Sequence, residues 1–431
     1  MSFEFLLCLI ILMGLAAMGT PIAYAILVSS FAYLAATGQS IGISGKILMD
    51  GLYQSFILLA VPLFIVAANI MNAGTVSDRL LQFCIALVGR FRGGLGHVNI
   101  LSSLVFSGMS GSAIADAAGI GKLIIEMMVK SGHYTRGYAA AITAASATIG
   151  PIIPPSIPMV LYALVSNTSI GFLFLGGIVP GLLMGAVLML MNVWISHRRG
   201  FAKDDPVPIR EFPRLTLNAG PALLMPAILL YGIYGGVTTP TEAAAVAAFY
   251  ALILASIFYR SLSLAHFYDI LVASARSSAA VGLIIGGALI LNYIVASENI
   301  PDVVAQALVG IDMHPLVFLL CVNLLLLMLG CFLDASTIIL VIIPLFIPAC
   351  RELGIDLVHF GVVAIVNCMI GLITPPYGIL LFVINAVTRI PLAEIIGEIW
   401  LFLGVLVVAL LALILFPDLT LMLPRAFGYA N

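Results

Sequence analysis

Two adjacent prolines interrupt this chain twice, each time inside a long apolar stretch. Gly150-Pro-Ile-Ile-Pro-Pro-Ser156 recurs 221 positions later as Gly371-Leu-Ile-Thr-Pro-Pro-Tyr377. Proline has no backbone N–H, so the carbonyl four residues before it loses its helical partner. Pro154 and Pro155 thereby release the carbonyls of Gly150 and Pro151, and Pro375 and Pro376 those of Gly371 and Leu372. In hydrocarbon each unpaired carbonyl costs several kcal/mol unless it faces protein, water or an ion. Two related helix breaks at membrane depth imply a solute pathway rather than two ordinary spans.

Composition supports the membrane setting. Hydrophobic residues make up 63% of the 431 and charged residues 8%, which excludes a soluble globular protein. At roughly 20 apolar residues per span, the chain has room for about ten to twelve crossings plus shorter re-entrant pieces. The expected class is an all-α polytopic membrane protein. A net charge of -2 with no basic arm argues against a nucleic-acid partner. The opening run from Phe3 to Ala36 lacks a basic n-region and a cleavage site, so it reads as one or two helices broken near Pro21, not a signal peptide. Six cysteines stand scattered without a CxxC pair, against a disulfide framework or a zinc site.

The repeat reaches beyond the prolines. Asn72 matches Asn292 and Ser77 matches Ser297 at an offset of 220, while Asp116 and Asp334 lie 38 and 41 residues before Pro154 and Pro375. We expect a first repeat over 1–200, with a hairpin near 100–125 and a Pro-broken helix near 150–158. A linker follows at 201–214. The second repeat, 215–431, has its hairpin near 322–345 and its broken helix near 371–378. The offset fits five spans and a hairpin per half, and an odd number of crossings would invert the second copy. The polar stretch from His197 to Arg214 carries Arg198, Arg199, Lys203, Arg210 and Arg214, so the positive-inside rule places it in the cytoplasm.

The chemistry-bearing residues cluster around the breaks. Phe106-Ser-Gly-Met-Ser-Gly-Ser-Ala-Ile-Ala-Asp-Ala-Ala-Gly-Ile-Gly121 holds Ser107, Ser110 and Ser112 with one carboxylate, Asp116. Small residues permit close backbone approach and a reversal of the chain. A charge at the bilayer centre costs about 2.5–3.5 kcal/mol on insertion scales and demands compensation. Hydroxyls, a carboxylate and freed carbonyls form an all-oxygen set suited to a hard cation such as Na+. The bland alternative is that the serines pack helices and Asp116 caps one. Gly330-Cys-Phe-Leu-Asp-Ala-Ser-Thr337 is the second-half counterpart, where Asp334 with Thr374 and the Gly371 carbonyl would make another oxygen site. Capping of a hairpin tip by Asp334 is the alternative there.

Neither tip holds a Lys or Arg, so an anionic solute would rely on helix N-termini, hydroxyls and bound cations. Ser112 and Ser156 are the leading candidates for solute contact. Arg276, before the Gly282–Gly287 run, is a third, weighed against snorkelling to the interface. Thr239-Pro-Thr-Glu242 reads as a capping box, and Lys122, Glu126 and Lys130 as the charged face of an interfacial helix.

Several strings together resemble the large membrane subunit of tripartite ATP-independent periplasmic (TRAP) transporters. They are Ser110-Gly-Ser-Ala-Ile-Ala-Asp-Ala-Ala-Gly-Ile-Gly121, Ile149-Gly-Pro-Ile-Ile-Pro-Pro-Ser156, Gly236-Val-Thr-Thr-Pro-Thr-Glu-Ala-Ala-Ala-Val-Ala247 and Gly371–Tyr377. The resemblance covers essentially the whole chain. It implies a Na+-driven elevator-type importer of small organic acids such as C4-dicarboxylates or sialic acid, in the bacterial inner membrane. The implied partners are a small four-helix membrane subunit, not fused here, and a soluble periplasmic solute-binding protein. By motif, Ser110, Asp116 and Gly150 fall at one sodium site, and Gly330 and Thr374 at the other. Ser112, Ser156 and Asp334 fall where substrate binds. Ala113 and Ile114 depart from the further serines common at the family's first tip.

Other function classes fit less well. Gly108-Met-Ser-Gly111 matches the GxSG of intramembrane serine proteases, but all six histidines read as lying in or beside loops, and Asp334 lacks a GxGD context. A stand-alone Na+/carboxylate or anion carrier would share the repeats and hairpins without a binding protein. A channel would need a continuous polar lane.

Overall fold

The computed structural model describes residues 2–54, 56–72, 75–203, 208, 210–300 and 313–430. Its first half opens with α1 (Phe3–Ala17), α2 (Ile22–Ala36), α3 (Gly42–Gln54), α4 (Ala60–Asn72) and α5 (Thr75–Val88). A hairpin follows, formed by α6 (Gly94–Ser110), the one-turn α7 (Ala113–Asp116) and α8 (Lys122–Lys130). The first Pro-Pro break separates α9 (Arg136–Ala147) from α10 (Ile157–Ser166), and α11 (Ile170–Arg198) completes the half.

The second half begins with α12 (Phe212–Tyr234), α13 (Pro240–Ile253) and α14 (Leu264–Ser297). Its hairpin is α15 (Pro315–Gly330), the short α16 (Ala335–Thr337) and α17 (Ile347–Glu352). The second break lies between α18 (Leu357–Gly371) and α19 (Ile379–Thr388), followed by α20 (Leu392–Leu415) and α21 (Asp418–Ala426). Among the described residues no strand forms beyond an isolated bridge between Arg92 and Lys203. Both tip helices run into a π-helical turn, Ala117–Gly121 and Ile338–Ile342. The Pro154–Pro155 and Pro375–Pro376 bonds are both cis. Positions 204–207 and 209 of the linker lie outside the described residues.

Among the described residues five helices are long and apolar enough to cross a membrane by length and composition, α11, α12, Pro240–Phe258, α14 and α20, or six if the bent pair Gly42–Gly51 and Phe56–Asn72 is one span. Seven further apolar helices among the described residues are shorter, at 10–17 residues. Much of the apolar length therefore lies in these shorter helices. The Pro-Pro breaks and hairpin tips divide that length into pieces, because proline and glycine stop the helical ladder partway.

The two hairpins enter from opposite ends of α11. At its C-terminal end Arg199 makes two bonds to Glu398 of α20, at 2.8 and 2.7 Å. Nearby, Asn192 donates to the Gly93 carbonyl at 3.2 Å, just before α6 begins. Arg198, Arg199 and Lys203 cluster at this end. At the other end a cleft joins Asn167–Ser169, Gly354–Val358 and Gly428–Ala430, where the second hairpin's return leads into α18. The first hairpin thus opens toward the Arg199 end of α11 and the second toward the opposite end.

Packing between the halves is crossed. The half-helix α10, after the first break, packs on the second hairpin, against α16 and the Ile338–Ile342 turn. Its counterpart α19 packs on the first hairpin, against α7, the Ala117–Gly121 turn and α8. Within each half, buried amides tie the hairpin's first arm to the broken helix. Asn99 donates to Thr143 at 2.5 Å and accepts from Ser146 at 2.9 Å. Asn367 donates to the side chain and carbonyl of Asn323 at 2.8 and 2.7 Å. Such bonds hold helices together where the hydrophobic effect offers little between apolar faces in lipid.

Across from the hairpins stand α4, α13 and α14, with Asn69 donating to Ser274 at 2.9 Å. The capping box read from Thr239 and Glu242 is present at the start of α13.

Candidate functional site

The first hairpin turns at Gly111, whose φ is +58°, a conformation that favours glycine. A Cβ there would also stand 2.5 Å from the Pro155 carbonyl oxygen, so the tip rests directly on its own break. Ser112 then caps α7, its Oγ accepting from the Ala115 N–H at 3.4 Å. Asp116 does no capping. Ser110 Oγ donates to Asp116 Oδ1, while Oδ2 is buried and has no hydrogen-bond partner among the described residues. Gly150 lies against that oxygen, since a Cβ on it would come 2.4 Å from Oδ2. Ser110, Asp116 and Gly150 are therefore brought together, with one carboxylate oxygen left over.

In the second hairpin the capping residue is Asp334. Its Oδ2 accepts from the Ser336 and Thr337 N–H groups at 2.9 and 3.3 Å, and its Oδ1 from Thr337 Oγ1 at 2.5 Å. By position in the fold its equivalent is Ser112, the other tip cap, rather than Asp116. Asp116 falls four residues further, in α7, and the repeat gives it no acidic twin. Gly330 and Gly371 touch backbone to backbone: a Cβ on Gly371 would stand 2.7 Å from the Gly330 Cα. Thr374 is one turn beyond, its Oγ1 donating to the Ile370 carbonyl at 2.8 Å.

The freed carbonyls are mostly re-paired inside the breaks. The Gly371 carbonyl accepts from the Thr374 N–H, and the Leu372 carbonyl from the Leu380 N–H, each at 3.0 Å. The Pro151 carbonyl accepts from Ser156 Oγ. Only the Gly150 carbonyl takes no hydrogen bond among the described residues. Ser156 also accepts from the Met159 N–H at 3.2 Å, capping α10 while fully buried. In this structure the Ser156 hydroxyl serves the break and is not part of the cavity lining.

That cavity, of about 470 Å³, opens between the two tips. Ser110, Ser112, Asp334 and Ser336 contribute from the hairpins, and Asn69 of α4 and Ser277 of α14 from the facing wall. Its size suits a small organic solute. Among the described residues Asp334 is the one ionisable residue in the lining. Asn69 and Ser277 were missed in the sequence, because a lone polar residue within an apolar helix carries no local sign of what it faces. Two histidines lie beside loops, as expected, but are buried. His97 and His359 stand in the first turns of α6 and α18, both with little exposure. Ser110 nevertheless bonds a carboxylate, so the GxSG serine has no histidine base beside it.

The cap and the charge of Asp334 can be separated. Asparagine caps helices about as well as aspartate, whereas alanine forfeits about 1 kcal/mol. Asp334→Asn is expected to lower solute uptake about tenfold or more with little change in melting midpoint, and Asp334→Ala to lower both. Full uptake by Asp334→Asn in a transport assay would reduce Asp334 to a capping residue.

The sequence matches the family described as "Tripartite ATP-independent periplasmic transporter, DctM component" over residues 9–419. It is 42% identical over 421 residues to the sialic acid TRAP transporter large permease protein SiaM of Vibrio cholerae, covering 97% of this chain and 98% of that protein. The C4-dicarboxylate large permease DctM of Pseudomonas aeruginosa is 39% identical over 375 residues, 87% of this chain and 88% of its own. In fold, the chain is similar to the crystal structure of the Alcanivorax borkumensis YdaH transporter. That match has a TM-score of 0.62 at 15% identity and covers 87% of each chain.

Proposed function

Because this chain belongs to the DctM family of tripartite ATP-independent periplasmic transporters, as a large membrane subunit, we propose that it imports a small organic acid in symport with Na+. It is a transporter, not an enzyme, of the bacterial inner membrane. The observation that carries the reading is the uncompensated Asp116 Oδ2, buried behind the first tip and level with a cavity between both tips. A buried charge is retained only where something pairs with it. An all-oxygen set of Asp116, the Gly150 carbonyl and Ser110 suits Na+, which would travel as co-substrate. Around Gly330 and Thr374 the donors are hydroxyl and carbonyl oxygens as well, and Thr374 Oγ1 keeps its lone pairs while donating to Ile370.

The solute would sit against Ser112 and Asp334, with Na+ supplying positive charge to a carboxylate. Alternating access would carry the hairpins and broken helices as one body past α4 and α14, in the manner of an elevator. Crossed packing supports this, since α10 and α19 bind the hairpins of both halves into a unit. A small four-helix membrane subunit would brace the fixed wall, and a periplasmic solute-binding protein would deliver the solute. The relatives' solutes, sialic acid and C4-dicarboxylates, are the first to try.

Uptake of radiolabelled sialic acid and C4-dicarboxylates into proteoliposomes tests this, with the small membrane partner present throughout. The Na+ gradient and the binding protein are each supplied or withheld. Accumulation is expected only with both. Uptake on the gradient alone would favour a stand-alone carrier, and uptake indifferent to Na+ would sink the symport.

A further inference from the structure

The cavity poses a charge problem. Among the described residues its lining holds one carboxylate, Asp334, and no cationic side chain, which disfavours an organic anion. Ser277, Ala280 and Val281 bring α14 to the cavity as its fixed wall. One residue before Ser277, and one helical turn before Ala280, stands Arg276. It is exposed, and it enters none of the ion pairs or hydrogen bonds among the described residues. Residues four apart share a helix face, so Arg276 flanks the cavity at a rise of about 6 Å along α14.

The direction of that step matters. With the Arg198–Arg214 stretch in the cytoplasm, α12 and α13 run out and back, and α14 starts from the cytoplasmic side. Arg276 therefore stands on the cytoplasmic flank of the cavity. An arginine this close to a polar cavity within the membrane calls for an anionic partner, and its planar fork matches a carboxylate in two-point contact.

We propose that Arg276 is a specificity-determining residue: the fixed wall's counter-charge, which receives the solute carboxylate as the cavity moves toward the cytoplasm. The inference rests on the reading of an organic acid carried past α14. It also explains why the tips can do without a cation of their own. A neutral solute would gain nothing from this residue.

The test is uptake by the reconstituted complex, always beside the unaltered chain. Arg276→Gln is expected to lower the initial rate about tenfold or more, with Arg276→Lys intermediate because a point charge replaces the fork. Half-activation by Na+ should stay unchanged, which loss of the sodium sites would not allow. To separate charge from folding, Arg276→Cys is made in a chain with exposed Cys321→Ser. The new thiol is then treated with 2-aminoethyl or 2-sulfonatoethyl methanethiosulfonate. Recovery with the amine and not with the sulfonate is expected. Arg276→Gln uptake within about twofold of the unaltered chain, or no recovery with the amine, would overturn the proposal. If the unaltered chain itself moves no carboxylate, the proposed function fails first and takes this inference with it.

Discussion

Asp116→Asn is expected to cut Na+-driven uptake about 100-fold or more while leaving the protein at least as stable in Na+-free detergent. Asparagine keeps the volume and an oxygen for the Ser110 hydroxyl, so the hairpin loses nothing in packing. It removes the charge left without a partner at Oδ2, which in the absence of a cation is a liability to the fold. Loss of transport with gain of stability is hard to obtain from a purely structural residue. A second readout sharpens this: ligand binding to the native state raises the melting midpoint by mass action. The unaltered protein should be stabilised by NaCl relative to choline chloride, and the variant should lose much of that increment. Uptake within a few-fold of normal, or an unchanged sodium shift, would remove Asp116 from the cation site.

The second large effect concerns shape rather than charge. Gly371→Val is expected to destabilise the chain by about 1–3 kcal/mol and to abolish uptake, because its Cβ would meet main chain that cannot rotate away. The atoms in the way are the Gly330 Cα, carbonyl carbon and carbonyl oxygen, at 2.7, 2.9 and 3.1 Å. Relief requires parting α15 from α18, the contact that sets the second tip beside its break. Gly404→Ala is the control, since its Cβ would meet nothing within 4 Å in α20. There the gain in helix propensity, up to about 1 kcal/mol, should leave stability unchanged or raised. Equal damage from both changes, measured by thermal unfolding and uptake, would show that the Gly330–Gly371 contact is not special.

What could be read from the chain followed from residues whose chemistry is local. Pro154, Pro155, Pro375 and Pro376 break helices wherever they stand, so two discontinuous helices were legible. The partners of the released carbonyls were not, because Leu380 and Ser156 reach them only once the chain has bent. The match of Asp116 to Asp334 failed for a related reason. Counting back from the prolines aligns carboxylates, whereas the fold aligns tip caps and sets Ser112 opposite Asp334. Asn69 and Ser277 became visible only when α4 and α14 were placed across from the hairpins. Apolar length likewise does not show where a helix stops, so the division into long and short helices was not legible.

The crossed arrangement of α10 and α19 has a consequence for how the protein is made. Hairpin tips at Ser112 and Asp334 each lean on a half-helix belonging to the other repeat. During synthesis the first tip and its acidic residue leave the ribosome more than 250 residues before Thr388, the end of the segment that supports them. Until then a charged, glycine-rich loop must wait in the bilayer or at its edge without its final neighbours. Insertion of the first half cannot be its folding, and a chain released before α19 would hold a tip that nothing closes.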